Sequence, residues 1–186
     1  MGIVDPLSKK DEDSKTSVTF RIDSDKLQQL KKEADHKEIS LNTLVGQIFR
    51  QHIGWHSNAP KAGFVSVTKG FISNLLSKTT EKEILKLAEY AVKKETKDFV
   101  LLLRNEYDIT SVLDVLETRI QVSGFQYRHE VNGTVHSYVI QHDMGRKWSD
   151  YMAAQYRYIF GEFKLKPATF EMTDNTLAFV VNLKDR

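Results

Sequence analysis

The stretch "SVTFRID", Ser17 to Asp23, decides how the first third of the chain is read. It alternates as a half-buried strand does. Val18, Phe20 and Ile22 point to one face, and Ser17, Thr19 and Arg21 to the other. It has no second strand nearby in sequence, and a lone strand leaves half of its backbone groups without partners. The residues after it have a helical pattern. Leu27, Leu30 and Ala34 recur at helical spacing, with Ser24 or Asp23 as the N-cap. The turn "HKEIS" then leads into "LNTLVGQIFRQHIGW". Ser40 is the natural N-cap there, and Leu41, Leu44, Val45, Ile48 and His52 or Ile53 form an apolar face.

A strand and two helices in about forty residues cannot bury their apolar faces alone. Two copies can, if the strands pair antiparallel across a two-fold axis over four helices. On these grounds residues 16–56 resemble a ribbon-helix-helix DNA-binding domain of the Arc, MetJ and CopG type. The alternating "SVTFRI", the first helix and the "SLN" that opens the second carry the resemblance, which covers about a fifth of the chain. The turn departs from it. Many members have glycine there, whereas His36, Lys37 or Glu38 must close it in this chain.

The resemblance implies a homodimer, or a higher even oligomer, on a near-palindromic site in double-stranded DNA. The ribbon would enter the major groove with Ser17, Thr19 and Arg21 toward the base edges. Arg21 has the geometry to grip guanine O6 and N7. The second helix would bring Ser40 and the free N–H groups of Leu41 and Asn42 to a phosphate. Lys15 would add a phosphate contact from the preceding arm. Residues 1–56 hold nine Lys or Arg against nine Asp or Glu, so non-specific affinity is expected to be modest and salt-sensitive.

The rest of the organisation comes from composition. Residues 1–15 are polar and charged, "KKDEDSK" has no apolar period, and a flexible arm is expected. Residues 57–63, within "HSNAPKAG", have linker composition. Residues 64–186 read as an α+β domain for sensing or assembly. With 40% hydrophobic residues, the 186-residue chain has the composition of a globular protein with a true core. It has no cysteine, which removes disulfides and thiolate metal sites. The net charge of +2 does not by itself imply nucleic acid. No apolar run reaches membrane-spanning length and the start lacks a signal-peptide core, so a cytoplasmic protein without a membrane partner is expected.

In the second domain "FVSV" (Phe64 to Val67) reads as a strand and Phe71 to Leu76 as a short helix. Glu81 to Lys94 reads as a helix opened by a Thr80–Glu83 capping box. The continuous apolar run "DFVLLL", Asp98 to Leu103, reads as a buried strand. A helix comes next over Ile109 to Ile120, stopped by Gly124. Asn132-Gly133 signals a hairpin, an aromatic helix spans about Arg146 to Phe163, and a second hairpin turns at Asp174-Asn175. From Asp98 the order is β-α-β-β-α-β-β, which resembles the split β-α-β, ferredoxin-like plan with an added strand.

Few residues there suggest chemistry. A two-residue Asn132-Gly133 turn sets His129 opposite His136, their Cβ atoms about 5 Å apart. Two imidazoles are half a metal site at most, and no metal or other cofactor is expected. Trp148, Tyr151 and Gln155 on the aromatic helix are candidates to line a pocket for a small-molecule effector. "VTKG" and "GFISNLLSK" are not phosphate loops, and no nucleophile, base and acid have the spacing of an enzyme site. The expected function is sequence-specific transcription regulation, not catalysis. The alternative is an antitoxin-type regulator whose C-terminal part binds a protein toxin.

Overall fold

The computed structural model describes residues 17–184, and of residues 167 and 168 only the backbone. The expected arm, with Lys15, lies outside the described residues. The fold mixes helices with one antiparallel sheet, and the chain divides into two compact units, one ending at Gln47 and the other starting at Ile48.

In the first unit, residues 17–23 are assigned no strand in the single chain. Helix α1 spans Ser24–His36, with Asp23 at the N-cap position. Helix α2 spans Leu41–Gln51, and Ser40 caps it by accepting the Thr43 N–H at 3.0 Å. Glu38 closes the turn between them with φ +54°, a left-handed conformation that glycine adopts more cheaply. It works as a helix stop because the Ile39 N–H reaches back to the Ala34 carbonyl at 3.0 Å.

The second unit begins differently from the linker expected at residues 57–63. A 3-10 turn, Ala59–Ala62, occupies this stretch just after a π-helical turn at His52–His56, and both Trp55 and Ala59 are buried in the core. Trp55 makes edge contacts with Phe64 and Phe99, each at 5.1 Å between ring centres. "FVSV" is not a strand: Phe64 packs on Phe99 at 4.4 Å, while Val65 stands 80% exposed with no neighbouring strand among the described residues.

Helix α3 spans Lys69–Ser77, capped by Thr68. Helix α4, Glu81–Ala91, opens with the expected reciprocal Thr80–Glu83 box. It runs through a π-helical turn, Val92–Thr96, directly into α5, Lys97–Arg104. "DFVLLL" is therefore helical, and the opening strand of a split β-α-β plan is missing. The reason lies in its burial. Phe99 and Val100 face the core while Leu101 and Leu102 stay substantially exposed, a helical rather than a strand pattern. An apolar run without a period does not distinguish the two, and here the helix already under way continues.

Helix α6 spans Ile109–Val122, capped by Asp108, and the chain leaves it at Gly124 with φ +65°. Strands β1 (Gln126–Asn132) and β2 (Val135–Gln141) form the first hairpin. Helix α7, Arg146–Glu162, is succeeded by β3 (Pro167–Met172) and β4 (Thr176–Asn182), the second hairpin. The sheet order is β1-β2-β4-β3, and every pair is antiparallel. Without the strand expected at 98–103 there is no parallel central pair, so the ferredoxin-like plan does not describe this sheet. Ile140, Leu177 and Phe179 on the sheet join Ile159 and Phe160 of α7 in the core.

The first hairpin turns one residue later than expected. Gly133 alone has positive φ (+61°), at the first central position of a Gly133-Thr134 loop. A type I′ turn on Asn132-Gly133 would need positive φ at both residues, whereas Gly at the first central position is the II′ pattern. His129 therefore pairs with Tyr138, and His136 with Val131.

Candidate functional site

The residues expected to meet DNA bases, Ser17, Thr19 and Arg21, are all exposed. The alternate set is exposed too: Val18 is 65%, Phe20 59% and Ile22 48% accessible. Ser40 and Asn42 are exposed at the start of α2, and Leu41 is half-buried. The Ser40 hydroxyl is engaged by the Thr43 N–H, and it also lies 2.8 Å from the Thr43 hydroxyl.

In the second unit a cavity of about 520 Å³ opens between α3, α6, α7 and the segment before α3. The chain's two tryptophans, Trp55 and Trp148, both line it. Of the expected pocket residues Trp148 and Gln155 reach this cavity, whereas Tyr151 lines a smaller one of about 170 Å³. Gln155 borders both and donates to the Tyr151 hydroxyl at 3.0 Å. Burial pushes the Tyr151 phenol upward, which keeps it neutral and a hydrogen-bond donor. Arg119 also borders both cavities, and sequence reasoning missed it. It is a half-buried cation on α6, a helix that also carries Asp114 and Glu117, so its spacing alone gave no signal.

His129 and His136 meet on one sheet face through a diagonal, with His129 Nε2 2.9 Å from His136 Nδ1. Glu117 of α6, also missed, holds His129 Nδ1 at 2.9 Å and accepts from the Tyr127 hydroxyl at 2.8 Å. Tyr138 stacks on His129 at 3.9 Å between ring centres. Burial, together with the neighbouring His129, lowers the affinity of His136 for a proton, against the pull of Glu117. Among the described residues no group of three or more His, Asp or Glu is placed to hold a metal ion.

His142 is fully buried. The Met144 N–H donates to its Nδ1 at 3.1 Å, so its proton sits on Nε2, 2.8 Å from the Ser149 hydroxyl. Ser149 in turn donates to the Thr173 carbonyl at 2.8 Å. This chain of hydrogen bonds ties the end of β2 to the start of α7 and the β3–β4 turn.

No protein-family model matches the chain, and no curated protein matches it.

Proposed function

We propose that the protein is a homodimeric, sequence-specific DNA-binding transcription regulator. Residues 16–56 would supply one half of a ribbon-helix-helix unit, and the second unit would serve ligand sensing or further assembly. One observation carries this reading. Val18, Phe20 and Ile22 alternate on a segment that leaves them exposed, directly before two short helices that bury only Ala34 and Leu44 within the first unit. A second copy supplies both the missing strand and the missing core. The base-reading face is then Ser17, Thr19 and Arg21. The phosphate site is the start of α2, with Asn42 exposed and Ser40 holding the first turn.

A binding selection from random duplexes tests this. The expected product is a near-palindrome, because the two-fold ribbon presents Arg21 twice. Arg21→Ala is expected to cost about 1–3 kcal/mol on the selected site and to relax preference at the base it reads. Asn42→Ala is expected to weaken selected and random duplexes by similar factors, because phosphate contacts carry no sequence information. Unchanged base preference in Arg21→Ala removes the strand as the reading element.

A further inference from the structure

The larger cavity of the second unit has a composition that points to its ligand. At about 520 Å³ it lies within the roughly 300–1,000 Å³ of small-molecule sites. Its walls include the rings of Trp55, Phe64, Phe125 and Trp148. Its charged lining is one-sided: Lys69 and Arg119 contribute, and no Asp or Glu does. Arg119 makes no side-chain hydrogen bond and no ion pair among the described residues. Lys69 sits over the Phe125 ring at 4.8 Å. Trp148 Nε1 is buried and has no acceptor among the described residues.

A half-buried guanidinium without a direct ion-pair partner is costly, even with Glu95 on the wall of the smaller cavity that Arg119 also borders. An anionic oxygen inside the cavity relieves it at Arg119, the cation that lines the wall. The guanidinium favours a planar two-oxygen anion, which it meets with two parallel N–H donors. The ring walls favour a flat apolar body over a flexible polar one. We propose that this cavity binds an aromatic carboxylate, with the carboxylate on Arg119 and the ring body between the tryptophans. Gln155 at the inner wall is 5% exposed and holds its amide through Tyr151, which fixes the floor against which the ligand sits. The inference goes beyond the DNA-reading proposal and does not lean on it.

The test uses the full chain without DNA and the probe pair 1-naphthylacetate and 1-naphthylacetamide, by titration calorimetry. These differ in charge and hardly in shape. The acid is expected to bind saturably, and at least about tenfold more tightly than the amide, as a charge-assisted bidentate contact requires. Arg119→Gln is expected to remove that preference while changing amide affinity less than about twofold. Lys69→Gln, on an exposed side chain, is expected to weaken the acid by a smaller factor and leave the amide unchanged. It also serves as the deciding variant if Arg119→Gln loses its cooperative thermal transition. Equal binding of acid and amide to the wild type overturns the proposal. So does the absence of saturable binding of the acid up to about 5 mM, an affinity too weak for a built site. Equal losses for both probes in Arg119→Gln overturn it as well. Failure here leaves the duplex selection unaffected, and failure of the selection leaves this titration unaffected.

Discussion

The two units stabilise themselves by different means. The second has a continuous core in which helices α5 to α7 and the sheet bury Phe160, Phe179, Ile140 and Leu177 almost completely. Among its described residues the first buries two apolar side chains, Ala34 and Leu44, and its strand-patterned segment at 17–23 forms no strand in the single chain. Both are made from similar helices with similar caps. What separates them is the apolar area each removes from water, the term that must outweigh the conformational entropy of ordering the chain. The second unit meets that requirement within one chain. In the first, Val18, Phe20 and Ile22 stay substantially exposed.

Phe20→Asp breaks this contrast most severely. If the first unit is completed by a second copy, the substitution puts a charge into the shared core, a penalty of several kcal/mol or about the whole stability of so small a unit. Hydrogen exchange is the measurement. The amides of α1 and α2 are expected to lose protection while those of α6 and α7 keep theirs, and sedimentation is expected to show loss of the dimer made through residues 17–23. Retained protection in α1 and α2 would mean that the first unit is self-sufficient.

Trp55→Ala is the next largest, and it acts on the other unit. The side chain is 8% exposed and edge-packed on Phe64 and Phe99, so truncation leaves a large cavity and is expected to cost about 3–5 kcal/mol. Two positions earlier, Ile53 is 70% exposed, and Ile53→Ala is expected to stay within about 0.5 kcal/mol of wild type. Denaturant melts of the full chain compare them. Similar small losses for both would restore residues 57–63 and their approach to the status of a linker.

Those two positions also show what the sequence made legible. Elements announced by local chemistry were readable: the Ser40 cap, the Thr80–Glu83 box, the Gly124 stop and both hairpins depend on residues within a few positions of each other. The misreadings have one cause. "DFVLLL" and "FVSV" are apolar runs without a period, and only tertiary contacts settle whether such a run becomes strand, helix or extended wall. The first continues a helix through the π-helical turn at Val92–Thr96, and the second forms the side of a cavity. "HSNAPKAG" has linker composition, yet its Ala59 is buried beside Trp55. The candidate sites were half legible for the same reason. Trp148 and Gln155 share a helix and stood out together, whereas Arg119 and Lys69 join them only through the fold. Glu117 reaches His129 from another element.

A smaller effect separates the units by pH. Burial holds the His142 imidazole below its ordinary value of 6.5, helped by Lys69 and opposed by Asp143. Its neutral form is the one the hydrogen bonds require, because Nδ1 must accept from Met144. Below about pH 6.5 the unfolded chain takes up a proton that the folded chain refuses, so stability of the second unit falls as pH drops from there toward the lowered folded value. The slope from this group is at most about 1.4 kcal/mol per pH unit, and it vanishes above that range. His142→Gln is expected to lose stability at pH 8 and to flatten the dependence just below pH 6.5, the ordinary imidazole value. A wild-type profile that is flat over that interval, or a slope unchanged in the variant, excludes His142 as its source. The first unit has no buried histidine among the described residues, since His36 is exposed, so this His142 effect is specific to the second unit.

The smallest effect is a gain, and it lies in the first unit. Glu38 stops α1 with φ +54°, where a β-carbon crowds the backbone and glycine does not. No hydrogen bond from the Glu38 side chain offsets this among the described residues; the ion pair at this turn runs between Glu33 and Lys37. The backbone bond from Ile39 to Ala34 closes the turn and survives any change at 38. Glycine removes the left-handed penalty of about 1 kcal/mol and adds back part of it by loosening the unfolded chain, so Glu38→Gly is expected to stabilise the first unit by roughly 0.5 kcal/mol. Glu38→Ala keeps the β-carbon and is expected to gain almost nothing, which separates backbone strain from side-chain charge. Exchange protection of α1 and α2 reads the difference, because a unit with so small a core responds to half a kilocalorie where the second unit does not register it. If Glu38→Ala gained as much as Glu38→Gly, the carboxylate and not the backbone would be the source, and the turn would carry no strain to relieve.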